Sequence, residues 1–279
     1  MFTRLSRSFD LIKASATVLR AQRQLLLFPL IAGAAMTFIV VSFLIPLFAS
    51  GSFDHAERGG FSPMTYSLTF LLYVINYFIM FYFNTALVAC VMQHFDGGTP
   101  TLSDGMRAAN ARFGAILGYA VISATIGMVL RAIQERVPFA GKVIVALIGA
   151  GWAVASFLVV PVLVVQNTGP IESVRESASL MRCTWGENVA GQAGMGFAFG
   201  LIQLAVVTVA ALLTAVVVTM HLAVLVIPIL VLTVVAVLGV MLTHTALTGI
   251  YSATLYRYAE TGKVEGFDDG VLSTAFLPK

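Results

Sequence analysis

Charge is scarce in this chain. Only 10% of its 279 residues are Asp, Glu, Lys or Arg, while 59% are hydrophobic. A soluble domain carries about 25% charged residues, so a water-soluble ball of this size could not hide so much apolar surface. Cysteine is nearly missing as well: Cys90 and Cys183 give no disulfide framework. The four histidines, His55, His94, His221 and His244, are scattered and form no HExxH, and no CxxC accompanies them. No phosphate-cradling GxxxxGK[ST] and no GxSxG nucleophile elbow occurs. The stretch GMGFAFG misses GxGxxG by one residue and follows no strand, so helix packing explains its glycines. Asp268 and Asp269 in EGFDDG read as a solvated turn. The net charge of +3 comes without a dense basic run, which argues against nucleic acid as a partner. These absences exclude any recognisable metal or nucleotide chemistry, and the expectation is a non-enzymatic protein without cofactors.

What is present is length without charge. Stretches free of Asp, Glu, Lys and Arg run over 24–53, 59–95, 113–130, 143–171 and 188–256. A helix crosses the hydrocarbon with roughly 20 apolar residues, so the first four stretches hold one span each. The last must fold back on itself, and its polar break is Thr219-Met220-His221. The spans expected are 25–49, 64–92, 113–131, 143–165, 192–218 and 222–248. Runs such as VVTVAALLTAVVVTM lack the period-two alternation of barrel strands, and every amide in lipid needs an internal partner. The fold class is therefore all-α and polytopic. Pro29, Pro46, Pro161 and Pro228 fall in or near spans and are expected to bend those helices rather than end them.

With the amino terminus inside, twelve Lys and Arg fall on inner segments and four on outer loops. That asymmetry places both termini in the cytoplasm. The organisation expected is a cytoplasmic helix over 1–24, a membrane domain over 25–257 and a tail over 258–279.

Three segments precede the hairpins. In the first, Phe2, Leu5, Phe9, Ile12, Ala16 and Leu19 recur at spacings of three and four, one face of a helix lying on the membrane surface. Its apolar follow-on is too long for a cleaved signal peptide. SATVLR at 15–20 returns as SASLMR at 177–182, where Ile171, Val174, Ala178, Met181 and Trp185 repeat the stripe after Pro170. Leu102, Met106, Ala109 and Phe113 make a weaker copy. The plan is six spans as three hairpins, each preceded by a cytoplasmic interfacial amphipathic helix. Arg20, Arg182 and Trp185 are candidate headgroup or partner contacts. Gly186 is expected to turn the chain into the fifth span, with Glu187 and Asn188 capping it.

Within lipid, close backbone contact and side-chain hydrogen bonds hold helices together. Gly114 and Gly118, and Gly196 and Gly200, stand four apart and are the candidate helix-packing residues. They point to the odd-numbered spans as the tight centre, with the aromatic second span, YSLTFLLYVINYFIMFYFN, outside. Apart from Arg131 at the outer boundary of the third, the assigned spans contain no Asp, Glu, Lys or Arg. Asn76 and Asn84 are expected to bond neighbouring helices. His244 shares a face with Thr248 and Tyr251 and reads as hydrogen-bonded structure.

LIKASATVLRAQRQLLLFPL, LMRCTWGENVAGQ and YRYAETGKVEGFDDG together resemble a family of uncharacterised prokaryotic six-helix membrane proteins. The chain is similar in plan to the membrane portion attached to some glycerophosphodiester phosphodiesterases. The resemblance implies a six-span inner-membrane protein and brings no catalytic residues. The function expected is a module that organises membrane or binds a membrane or cytoplasmic protein partner. The alternative is a passive carrier or channel for an apolar or lipid-like solute.

Overall fold

The computed structural model describes residues 17–49, 63–220 and 222–261. Most of the first amphipathic stripe (Phe2 to Ala16) and the acidic tail with Asp268 and Asp269 lie outside the described residues. A helical turn over 17–21 and a 3₁₀ turn, Arg23–Leu26, lead into α1, Leu27–Ala49. Then come α2, Pro63–Phe95; α3, Leu102–Ala111; α4, Phe113–Arg136; α5, Phe139–Ala155; α6, Val159–Gln166; α7, Pro170–Thr219; and α8, Val226–Thr261. No strand occurs among the described residues. Six helical stretches are long and apolar enough to cross a membrane: Arg23–Ile45, Tyr66–Phe95, Phe113–Arg136, Phe139–Gln166, Gln192–Thr219 and Val226–Arg257. The chain is a multi-pass membrane protein. The hairpin in the longest apolar gap falls where polarity breaks it, between Thr219 and Val226.

Two proline effects separate cleanly. Pro29 and Pro228 each stand third in their helices, where the missing N–H has no intrahelical acceptor to lose. Pro161 also stands third, in α6, but that helix start falls inside the fourth span, so the span is broken there instead of bent. Its ring removes the N–H that would bind the Phe157 carbonyl and crowds that carbonyl. The span accordingly divides into α5 and α6 across a turn at 156–158.

Gly186 does not turn the chain. α7 continues from Pro170 to Thr219 as 50 residues of helix, about 75 Å at 1.5 Å per residue. The surface segment and the fifth span are one rod, so no new helix start needs capping at Glu187 or Asn188. Pro170 does occupy the first turn, as its fixed φ favours.

The centre differs from the expectation. The aromatic helix α2 is the hub, packed against α1, α3, α4, α6 and α8. Two features of its sequence allow this. Its aromatic half interlocks with α4: Phe81 lies on Tyr119 with ring centroids 4.3 Å apart, and Phe78 on Phe113 at 4.9 Å. Its last turns are mostly small residues, TALVACVM, and every residue from Thr85 to Met92 is buried. Small side chains let several helices close on one. In contrast, the most apolar stretches of the fifth and sixth spans bury no residue.

Burial is concentrated at one end of the bundle. Phe28, Thr85–Met92, Ile116, Leu158–Leu163, Met181 and Ile250–Tyr256 form one continuous core. Toward the other end the helices expose Phe38, Ile45, Met64, Val129, Ile144 and Leu147.

Candidate functional site

The packed end brings together helix ends and polar groups that the chain keeps far apart. At its centre is the broken fourth span. The break leaves backbone groups that hydrocarbon cannot satisfy. Ser177 of α7, fully buried, supplies both halves of the repair: its hydroxyl donates to the Ala155 carbonyl at 2.6 Å and accepts from the Leu158 N–H at 3.0 Å. Ser156 donates to the Trp152 carbonyl at 2.7 Å, which closes the last turn of α5. The short helix α6 is buried along 159–163. Its C-terminal carbonyls are capped by Arg112, which donates through Nε to Leu163 and through Nη2 to Val164. A cation at a helix C-terminus also opposes the negative end of its dipole. Partial burial lowers the pKa of Arg112, yet a guanidinium remains charged in proteins.

Around this centre the remaining helix ends are linked in pairs. Gln166 donates to the Tyr256 hydroxyl at 3.2 Å. Tyr82 donates to the Asn110 side-chain oxygen, Oδ1, at 2.8 Å, which ties α2 to α3. Arg257 reaches Asp96 at 2.7 Å and lies 5.8 Å from the centre of the Phe95 ring. α3 begins in a capping box: the Asp104 N–H donates to Thr101 Oγ1, while Asp104 Oδ2 accepts from the Thr101 N–H and hydroxyl. Those bonds hold the Asp104 carboxyl below the usual carboxylate range. α3 then presses Gly105 onto α2. A Cβ there would stand 2.7 Å from the Ala86 carbonyl, Cys90 Sγ and the Phe28 ring. Gly249 of α8 meets α2 in the same way, 2.7 Å from Leu87.

The sequence-predicted residues are distributed unevenly over this arrangement. Arg20 and Arg182 are exposed, whereas Leu19 and Met181 beside them enter the buried core. The side chain of Trp185 lies outside the described residues. Of the four candidate packing glycines, Gly118 meets a second helix, at Pro170, and the Cβ positions of Gly114, Gly196 and Gly200 have no neighbour within 4 Å. Asn76 donates to the Leu72 carbonyl of its own helix at 2.8 Å instead of bonding a neighbour. Asn84 does approach α8, with its side-chain oxygen 3.1 Å from the Cβ position of Gly249. The His244 ring packs on Phe199 at 4.9 Å, and the Thr248 hydroxyl donates to the His244 backbone carbonyl at 2.9 Å. Among the described residues no three His, Cys, Asp or Glu side chains converge on a common point.

Sequence reasoning passed over Ser177 and Arg112 as polar groups with work to do. A partial signal was present: a proline inside an apolar span points to a local break in the helix, and a break leaves backbone groups for a hydroxyl on another helix to satisfy.

Among the described residues, a cleft opens between α1 and α2. Met36 and Val40 of α1 stand across from Leu72, Tyr73, Tyr77 and Met80 of α2, leaving an open cleft of about 290 Å³. At its rim Arg131 of α4 donates to the Tyr73 hydroxyl at 3.0 Å and to Glu135 at 3.1 Å.

Residues 64–267 match a family described as "Family of unknown function (DUF6159)". The chain belongs to that family. The match takes in α2 through α8 and hence the whole stitched core apart from α1. Comparison with curated proteins and with solved structures found no match. Membership assigns no role to Ser177, Arg112 or any other residue of the matched region.

Proposed function

We propose that the protein is a non-enzymatic module of the inner membrane that holds a partner protein there, with both termini in the cytoplasm. The observation that carries this is the asymmetry of the bundle. One end is closed by buried side chains and capped carbonyls, while the long apolar stretches of α7 and α8 pack on each other and bury no residue. Gly196, Gly200 and Gly239 lie on this hairpin with open space beside them. Small residues on a lipid-exposed helix allow the backbone of another helix to approach. The excess of Lys and Arg on the segments at the packed end supports the orientation.

The test is photo-crosslinking in native membranes from Phe197, Leu204 and Leu232, with adducts identified by mass spectrometry. The reading requires one protein recovered reproducibly from these positions and lost in a Gly196→Leu, Gly200→Leu variant. Adducts with lipid only, together with solute flux when the pure protein is placed in liposomes, would establish the passive-carrier alternative instead.

A further inference from the structure

The cleft between α1 and α2 has the wall of an acyl-chain groove. Thioether, aliphatic and aromatic carbon line it, and Asn76, the amide among them, spends an N–H on its own helix. Ordered water needs two to four polar partners, which this wall does not offer. A second helix, about 10–12 Å across with its side chains, is too thick for the space. At about 290 Å³ the cleft lies at the small end of ligand sites, roughly 300–1,000 Å³, a size for one extended chain rather than a ring system. Met36 and Met80 flank it, and flexible thioethers adapt to irregular apolar shapes.

Charge gives the occupant a head. Tyr73 lines the cleft, and its hydroxyl holds Arg131 Nη1. Arg131 Nε is held by Glu135, and Nη2 has no partner among the described residues. Arg131 and Glu135 are both exposed at the rim. Arg136 and Lys142 follow, so this end of the bundle carries three cations against one carboxylate over 131–142. A guanidinium anchored on two sides with N–H groups to spare suits a phosphate oxygen.

We propose that this cleft binds one acyl chain of an anionic glycerophospholipid whose phosphate rests against Arg131. The site is separate from the α7–α8 surface and stands whether or not that surface holds a protein.

The experiment uses the full-length protein in phosphatidylcholine vesicles doped with phosphatidylglycerol that carries a diazirine in mid-chain. After illumination the labelled peptides are mapped by mass spectrometry. Adducts should concentrate on 34–41 and 70–81 and saturate as labelled lipid increases. Unlabelled phosphatidylglycerol should displace them about tenfold better than phosphatidylcholine, a headgroup preference of one decade in affinity. Arg131→Gln should erase that preference while leaving the adducts in place. Val40→Trp, which fills the cleft, should remove them, with labelling of α7 at 201–213 unchanged as the measure of bulk lipid. Labelling of 34–41 and 70–81 that fails to saturate and merely parallels α7 would overturn the proposal, as would cross-links from these positions to protein in place of lipid. If Val40→Trp does not fold, saturation and competition on the natural chain decide between the same outcomes.

Discussion

Ser177 is the residue on which the packed end depends most directly. Removing its hydroxyl strands the buried Leu158 N–H and takes the donor from the half-buried Ala155 carbonyl. An unsatisfied buried polar group costs about 1–3 kcal/mol, so Ser177→Ala should lower the melting temperature in detergent measurably. A Pro161→Ala, Ser177→Ala double variant should lose less than the two single variants added together, because a continuous helix would satisfy the freed groups itself. Glycines give a second contrast. Gly249→Ala places a methyl 2.7 Å from Leu87, which is itself 2% exposed and has nowhere to go; overpacking of this kind costs about 1–3 kcal/mol. Gly200→Ala meets nothing and should be neutral or stabilising by up to about 1 kcal/mol through helix propensity. Thermal unfolding of both variants in one detergent checks the pair. The GxxxG-like spacing was legible in the sequence, but which glycines touch a neighbour was not. Spacing along one helix carries no information about what lies beside it.

At the scale of elements, α3 and α6 are short helices that stand because their ends are satisfied. The cap of α3 depends on an ionised Asp104. Its carboxyl is held below the usual range by the Thr101 hydroxyl and N–H, so the stabilisation is present above the unfolded aspartate pKa of about 3.9 and is lost as pH falls through the lower folded value. Hydrogen exchange of 102–111 should accelerate on acidification through that window, and Asp104→Asn should abolish the pH dependence. For α6 the decisive contact is Arg112. Arg112→Ala strips the last carbonyls of a charged donor, and bonds to charged groups are worth about 1.5–3 kcal/mol. Protection of 162–166 should fall in that variant while that of α1 is retained. The sequence disclosed α3 as an apolar stripe from Leu102 to Phe113, but it held α6 within a single span over 143–165. It did not disclose the break in the fourth span: Pro29, Pro161 and Pro228 each stand third in a helix, and an apolar run does not show whether that helix begins at the end of a span or inside one.

For the whole molecule, the even number of spans puts both described ends on one side. A cysteine placed at Arg107 in a Cys90→Ala, Cys183→Ala background should react with a membrane-impermeant maleimide only after permeabilisation, and one at Arg136 should react on intact cells. Reaction of both from outside would refute the orientation. The architecture also predicts uneven breathing. The end built on Thr85–Met92 and Ile250–Tyr256 should resist exchange longest, and the outer parts of α1, α5, α7 and α8 should exchange sooner, because protection follows local contact density.

What the sequence by itself determined is the number of apolar spans, the helix end at Thr219 and the exclusion of charge from the apolar runs. Hydrocarbon imposes these one segment at a time, since each span must satisfy its own backbone and bury no lone charge. The tertiary structure alone decided that the aromatic second span is the hub, that Gly105 and Gly249 make the close approaches, and that Ser177 and Arg112 stitch a broken helix. Lipid removes the hydrophobic drive between helices, so their arrangement rests on surface shape and on a few hydrogen bonds between residues distant in the chain, which no local pattern encodes.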